Sequence, residues 1–266
     1  MPVIVGTARG DNLVGGPRQD IIFGLEGNDT LSGRFANDKL VGYSGHDVLY
    51  GDQGLDTLLG GVGNDSLYGG NLQDSLDGGA GDDYLSGGNR EDLLIGGAGN
   101  DTVQGDGWND TIFGGTGDDW LNGGTGDDIV NGEQGNDDMR GGGGRDRLVG
   151  GVGNDSLQGG GDNDVLLGGA GRDVLSGGTG NDRLSGGALA DVFVFSLRHG
   201  TDLIRDFGTG NDKIDVTDFD FADAQAVLAT GYQNGDEVVF NLGLGTRIVI
   251  EHGVLTDFDG TEFILA

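Results

Sequence analysis

Aspartate recurs at every ninth position from Asp11 to Asp191 without a miss, which divides most of the chain into twenty-one units in one register. The residue five places before each of these aspartates is always glycine, from Gly6 to Gly186. The residue two places after each is always apolar, from Leu13 and Ile22 to Leu184 and Phe193. A period this strict means one small unit stacked many times, each unit burying its apolar residue against its neighbours.

The residue types around each aspartate say how a unit is shaped. Glycine-rich positions permit backbone dihedrals closed to other residues, so each unit can make a tight turn. The three residues after the aspartate form a short strand, whose central residue points inward while its two neighbours point outward. Two units, eighteen residues, then make one coil with strands on opposite sides. About ten such coils at strand spacing would extend roughly 50 Å. The expected fold is all-β, a right-handed parallel β-roll over residues 1–194, followed by a small β-rich cap with a short helix over residues 195–266.

Composition says what such a roll would need. There are 61 glycines against 2 prolines, outside ordinary globular usage. The 45 acidic residues against 14 Lys and Arg leave a net charge of -31, which argues against nucleic acid or anionic membrane as a direct partner and makes cations the natural counterpart. With 35% hydrophobic residues, a chain this acidic resembles the disordered class unless something neutralises it. No cysteine is present, so neither disulfides nor thiolate metal sites are available. The opening Met1-Pro2-Val3-Ile4-Val5-Gly6-Thr7 lacks the features of a general secretory signal peptide, and no apolar run approaches the length of a transmembrane segment.

The units Gly60-Gly61-Val62-Gly63-Asn64-Asp65-Ser66-Leu67-Tyr68 and Gly150-Gly151-Val152-Gly153-Asn154-Asp155-Ser156-Leu157-Gln158 match G-G-x-G-x-D-x-U-x throughout. Over residues 6 to 194 the chain thereby resembles the RTX, or haemolysin-type, calcium-binding repeat proteins. The resemblance implies calcium ions between successive turns, held by the aspartates and by backbone carbonyls of the glycine turns. Hard oxygen donors suit the flexible coordination of calcium and do not suit zinc. Rows of stacked carboxylates without a cation would also repel one another in every coil.

The two edges of the expected roll differ. Counting the Asp11 unit as the first, the position two before the aspartate is glycine in odd units three to nineteen: Gly27, Gly45, Gly63, Gly81, Gly99, Gly117, Gly135, Gly153 and Gly171. Even units carry Arg18, Ala36, Gly54, Leu72, Arg90, Trp108, Gly126, Gly144, Asp162 and Gly180 there. The leading candidate ligands are therefore the odd-edge aspartates Asp29, Asp47, Asp65, Asp83, Asp101, Asp119, Asp137, Asp155 and Asp173, whose nine turns define eight intervening sites. On the even edge the candidates are Asp38, Asp56, Asp74, Asp92, Asp110, Asp128, Asp146, Asp164 and Asp182. Binding is favoured there around Gly126 and Gly144, and a calcium-free or weakly binding turn is equally open elsewhere.

The outward strand positions are asymmetric too. Even-unit strands end in Phe23, Val41, Leu59, Asp77, Ile95, Phe113, Asn131, Val149, Leu167 and Ser185, whereas odd-unit strands end mostly in polar residues or Tyr. One outer sheet is thus more apolar, either as ordinary β-propensity or as a docking face for a partner, a second copy or a surface.

After Phe195 the period stops. Gly208-Thr209-Gly210-Asn211-Asp212-Lys213-Ile214 reads as one more partial repeat, out of step. Residues 219–229 read as a helix capped by Asp218, and 237–242 with 247–251 as a hairpin. The stretches Ala190-Asp191-Val192-Phe193-Val194-Phe195, Asp206-Phe207 and Asp212-Lys213-Ile214-Asp215 resemble the C-terminal region of serralysin-type proteins. The end, Glu262-Phe263-Ile264-Leu265-Ala266, looks like that group's acidic-then-apolar terminus, which implies a type I secretion exporter as partner; an ordinary final strand is the other reading.

The expected function is that of a secreted, extracellular, non-enzymatic calcium-binding protein. No H-E-x-x-H occurs, His46, His199 and His252 sit singly as loop or surface residues, and there is no G-x-S-x-G elbow. A carbohydrate-associated module binding polysaccharide and an envelope-interacting factor stay open as alternatives.

Overall fold

In the units from Ile21 to Ala188 the strand opens one residue before the aliphatic and runs for six residues, twice the expected length. In Ser66–Asn71, Leu67 and Gly69 point inward while Ser66 and Tyr68 point outward. Extended backbone therefore continues through the invariant glycine, which is a core residue and not part of the tight turn. A Cβ at Gly60 would stand 2.5 Å from Asp65 Oδ2, and one at Gly96 equally close to Asp101 Oδ2. Only glycine leaves room for the carboxylate to fold over it.

The structure, a computed structural model, describes residues 1–208 and 211–266, and the chain divides into two units, Met1–Asp138 and Met139–Ala266. In the first unit, consecutive strands alternate between two parallel sheets. The strands of even units, from Ile21–Glu26 to Ile129–Gln134, form one sheet, and those of odd units, from Asn12–Val14 to Trp120–Thr125, form the other. Register advances eighteen residues per coil: Leu67 lies beside Leu85 and Leu85 beside Val103, while Leu76 lies beside Leu94 and Leu94 beside Ile112. The inward aliphatics from Ile22 to Val130 are fully buried. This is the parallel β-roll that the period predicts.

The second unit begins with the same roll. Arg147–Val152, Val165–Ala170 and Arg183–Ala188 lie side by side in one sheet, and Ser156–Gly161, Val174–Thr179 and Val192–Val194 in the other. Both sheets continue past Phe195. Gly200–Ile204 pairs in parallel with Arg183–Ala188, and Lys213–Asp215 with Val192–Val194, so Ile204 and Ile214 extend the buried column. The out-of-step Asp212 thus joins the roll; Thr209 and Gly210 of that partial repeat lie outside the described residues.

A cap completes this unit. Thr246–Ile250 pairs in parallel with Gly200–Ile204 and antiparallel with Glu237–Gly243, which pairs in turn with Gly231–Asn234. The hairpin turn is only Leu244-Gly245, at φ +50° and +88°, so both strands reach closer to the turn than expected. Phe240 meets Phe258 and Phe263 edge-on at centroid separations of 5.4 and 5.3 Å. The helix is shorter than expected, Ala224–Leu228, and its cap is Asp223 rather than Asp218. Asp223 Oδ1 accepts the Ala226 N–H at 2.9 Å, whereas Phe219 is buried and turns back on the Val216 carbonyl, which keeps residues 219–222 out of the helix. The terminal Phe263–Ile264 is a strand beside Lys213–Asp215. Among the described residues no helix is long and apolar enough to cross a membrane.

Candidate metal centre

Each repeat aspartate stands between the turn and the strand, and from Asp20 to Asp191 none is more than 4 % exposed. Its carboxylate is used asymmetrically. One oxygen, Oδ1, accepts the backbone N–H of the aspartate eighteen residues earlier: Asp20 donates to Asp38, Asp29 to Asp47, Asp47 to Asp65, Asp65 to Asp83 and Asp83 to Asp101, at 2.7–2.8 Å. The even edge does the same through Asp56, Asp74, Asp92, Asp110 and Asp128, as do Asp119 and Asp137 on the odd edge. In the second unit Asp146 donates to Asp164, Asp155 to Asp173 and Asp164 to Asp182. Both edges thus carry an aspartate column tied coil to coil.

The other oxygen, Oδ2, has no hydrogen-bond partner at Asp29, Asp38, Asp47, Asp56, Asp65, Asp74, Asp83, Asp92, Asp101, Asp110 and Asp119, nor at Asp164, Asp173 and Asp182, and is shut off from solvent. Burying a polar atom without a partner is costly, and for a charged oxygen more so. The carboxyl groups register this. Burial pushes Asp74, Asp110 and Asp164 up to about 8 and Asp56, Asp83, Asp92 and Asp119 to about 7; stacked or neighbouring acids add to the rise, while the N–H bond opposes it. Asp38, Asp65, Asp101, Asp128 and Asp173 rise to about 6 for the same first reason.

The turn supplies further oxygens. Gly63, Gly81, Gly99, Gly117, Gly126, Gly135, Gly144 and Gly153 all have φ between +121° and +144°; Gly171 alone of the candidate glycines does not. A Cβ on Gly63 would run into the Gly45 carbonyl oxygen, one on Gly135 into that of Gly117 and one on Gly171 into that of Gly153. Glycine here lets each turn close over the carbonyl of the turn before it. On the even edge Ala36, Leu72, Arg90, Trp108 and Asp162 adopt the same left-handed conformation, at φ +72° to +86°, so the turn shape survives while side chains intrude on it. The Arg90 guanidinium lies 4.6 Å from the centroid of the Trp108 ring.

Among the described residues no three Asp, Glu, His or Cys side chains converge into a metal cluster. The donors are instead one or two buried carboxylate oxygens with backbone carbonyls, a hard-oxygen set that fits calcium. The orphaned Oδ2 column is what a bound divalent cation would satisfy.

One column of residues escaped the sequence reading. The side chain just before the odd-edge aspartate accepts a backbone N–H from the next coil: Asn28 from His46, His46 from Asn64, Asn64 from Asp82, Asp82 from Asn100, Asn100 from Asp118 and Asp118 from Asn136, at 2.7–3.2 Å. The run of Asn and Asp at that position was the visible signal. Of the histidines, His46 and His252 are exposed, but His199 is only 7 % exposed, because it lies under the cap hairpin and donates its N–H to Thr246 Oγ1. On the outer face of the even-unit sheet, Phe23, Leu59, Ile95 and Phe113 are half-buried, and Tyr43, Leu93 and Ile129 are exposed.

The chain matches the model of the RTX calcium-binding nonapeptide repeat at residues 5–40, 33–67, 41–76, 68–103, 77–111, 105–139, 140–175 and 158–193, so that residues 5–193 are covered continuously. No curated protein matches it. Among solved structures it is similar to the AlgE6R3 subunit of the Azotobacter vinelandii mannuronan C5-epimerase, with 29% identity over 45% of this chain and 77% of that one and a TM-score of 0.38. It is similar also to the extracellular lipase LipA of Serratia marcescens, with 16% identity over 93% of this chain but only 40% of the lipase and a TM-score of 0.33. A third is a Ca2+-dependent β-helical antifreeze protein from an Antarctic bacterium, with 19% identity over 79% of this chain and 84% of that one and a TM-score of 0.44.

Proposed function

This chain belongs to the RTX calcium-binding nonapeptide repeat family, and on that premise we propose that its β-roll forms only when calcium enters the turns, outside the cell that makes it. The odd-edge aspartates from Asp29 to Asp173 are the principal ligands, joined by carbonyls of the turns at Gly63, Gly81, Gly99, Gly117, Gly135, Gly153 and Gly171. On the even edge the turns at Gly126 and Gly144 take part, and the turns carrying Leu72, Arg90 and Trp108 bind weakly or not at all.

The observation that carries this reading is the column of buried Oδ2 atoms without partners. Calcium supplies positive charge there and nothing more. The residues do the rest: Oδ1 holds each carboxylate in place through the neighbouring coil, and the glycine turns aim carbonyls toward the same edge. Extracellular calcium modules bind with dissociation constants of roughly 0.1–1 mM. A site of about 0.1 mM facing about 1 mM calcium contributes on the order of 1.4 kcal/mol. Several coupled sites reach the whole stability of a typical domain, about 5–15 kcal/mol.

At resting cytosolic calcium the chain is then unfolded, the state a type I exporter requires, and it becomes a secreted, non-enzymatic binding protein once outside. Circular dichroism of metal-stripped protein at neutral pH tests the coupling: adding calcium should convert a disordered spectrum cooperatively to β, and chelator should reverse it. A fully folded roll in excess chelator would overturn it.

A further inference from the structure

We propose that the first coil of the roll is an end-on contact surface for a second copy of this chain, the two copies meeting through Val3–Val5 and Asn12–Val14. The proposal needs only the folded roll and does not depend on which carboxylates hold calcium.

Three observations carry it. The first is unused hydrogen bonding. Among the described residues, Val3–Val5 and Asn12–Val14 are the outermost strands of their two sheets. The Pro2 carbonyl accepts the Ile21 N–H at 3.0 Å and Gly6 donates to the Phe23 carbonyl at 2.8 Å, so Ile4 faces the next coil and alternation turns the N–H and C=O of Val3 and Val5 to the free edge. In the other sheet the Asp11 carbonyl accepts the Thr30 N–H at 2.8 Å and Gly15 donates to the Ser32 carbonyl at 2.7 Å, which leaves those of Asn12 and Val14 on the edge. Such an edge is a template for a further strand.

The second is an open core. Every inward aliphatic from Ile22 to Val130 is fully buried, whereas Ile4 and Leu13, at the head of the same column, are only half-buried. Around them Met1, Val3, Val5 and Val14 are at least 40 % exposed. The terminal coil of a solenoid leaves its apolar core bare unless something covers it.

The third is charge, and it selects the occupant. Residues 1–20 hold two arginines, Arg9 and Arg18, against two aspartates, Asp11 and Asp20, so this coil is neutral and the whole net charge of -31 falls on the residues after it. Two copies can meet here without the repulsion that so acidic a chain otherwise imposes. A two-fold axis that pairs Val3–Val5 of the copies antiparallel brings the odd-edge turn of one, with Arg9 and Asp11, against the even-edge turn of the other, with Arg18 and Asp20. Each arginine then meets an aspartate, and the contact is self-complementary. A partner of one strong sign finds no such match.

The test is the oligomeric state of the full chain in calcium, read by sedimentation equilibrium up to about 100 µM, because a contact one coil wide is small. The unaltered chain should form a concentration-dependent dimer and nothing larger, since a two-fold contact closes on itself. Val3→Lys with Val5→Lys should be monomeric with an unchanged β-type circular dichroism spectrum, because edge lysines repel across the axis. Val62→Lys, at a 63 % exposed valine away from this coil, should leave the dimer intact. Arg9→Glu with Arg18→Glu should weaken the dimer on the order of tenfold or more, and high salt should restore part of it. A folded monomer at every concentration overturns the proposal. So does a dimer that Val3→Lys with Val5→Lys leaves intact, which would place the contact elsewhere on the roll. Should the lysine variant lose its β spectrum, the arginine reversals decide, as both lie in exposed turns: a weakened dimer supports the proposal and an unaltered one overturns it.

Discussion

Asp83 Oδ1 accepts the backbone N–H of Asp65 at 2.7 Å, while Asp83 Oδ2, on the same carboxylate, is buried with no partner. One oxygen ties neighbouring coils together and the other is left over. The two roles separate in Asp83→Asn, which keeps an oxygen acceptor and nearly the same volume but removes the charge. The variant should need several-fold more calcium to reach half-folding, read by circular dichroism against free calcium. With metal removed at pH 8 it should be no less folded than the unaltered chain, because it lacks a carboxylate that burial pushes up to about 7.

Without metal, acid should favour the roll. Asp74, Asp110 and Asp164 rise from 3.8 to about 8 on folding, and Asp38, Asp65 and Asp101 to about 6, with burial as the first cause. The folded state thus binds protons more tightly than the unfolded one. Stability from these groups is fully present below about pH 4 and is lost as pH rises through 6 to 8. Metal-stripped protein should show more β-type circular dichroism at pH 5 than at pH 8. In calcium the trend reverses, since protons compete for the same carboxylates; identical spectra at both pH values without metal would contradict the rise of these carboxyl groups on burial.

Glycines at different positions of the repeat should respond differently to one methyl group. At Gly96 a Cβ would stand 2.5 Å from Asp101 Oδ2 and 2.6 Å from the Gly114 carbonyl oxygen, so Gly96→Ala must displace a carboxylate or a strand. It should cost about 3 kcal/mol or more in calcium, as overpacking of a tight core does. At Gly143 nothing lies within 4 Å of the added atom and φ is not left-handed, so Gly143→Ala should change stability by less than about 1 kcal/mol. Thermal melts of the pair check the difference.

The even edge carries strain that glycine would relieve. Leu72 adopts φ +76° and is 46 % exposed, so its side chain gains little by burial. Leu72→Gly should stabilise the calcium-loaded chain by about 1 kcal/mol, the strain of a left-handed non-glycine residue less the added freedom of the unfolded chain. It should also raise calcium bound on that edge, which calorimetric titration would detect. A destabilised variant with unchanged stoichiometry would argue against side-chain intrusion as the cause of the edge difference.

Where periodicity was unbroken, the sequence was sufficient to predict what the structure shows. Leu67, Leu85 and Val103 had to face one core because they recur at one phase, and the aspartates had to line the edges for the same reason. The glycines were legible as a pattern but not as a mechanism. Gly60 and Gly63 look alike in sequence, yet one sits in extended backbone beneath a carboxylate and the other turns at φ +124° over a carbonyl. Where the period failed, local propensity was a poorer guide: Asp218 and Asp223 were both acceptable caps, and the burial of Phe219 chose between them.

The sequence by itself determined the eighteen-residue coil, the buried aliphatic column, the charge that demands cations and the difference between the edges, because each is a property of one residue repeated in phase. Only the tertiary structure decided which carboxylate oxygen is left over, that Asn64 and Asn100 join neighbouring coils, and that Asp202 takes a rung at a spacing of twenty, its Oδ1 accepting the Asp182 N–H. Those relationships exist between residues on adjacent coils. Their energies depend on which backbone N–H groups and carbonyls the stacked chain brings within hydrogen-bonding distance, and no single unit contains that information.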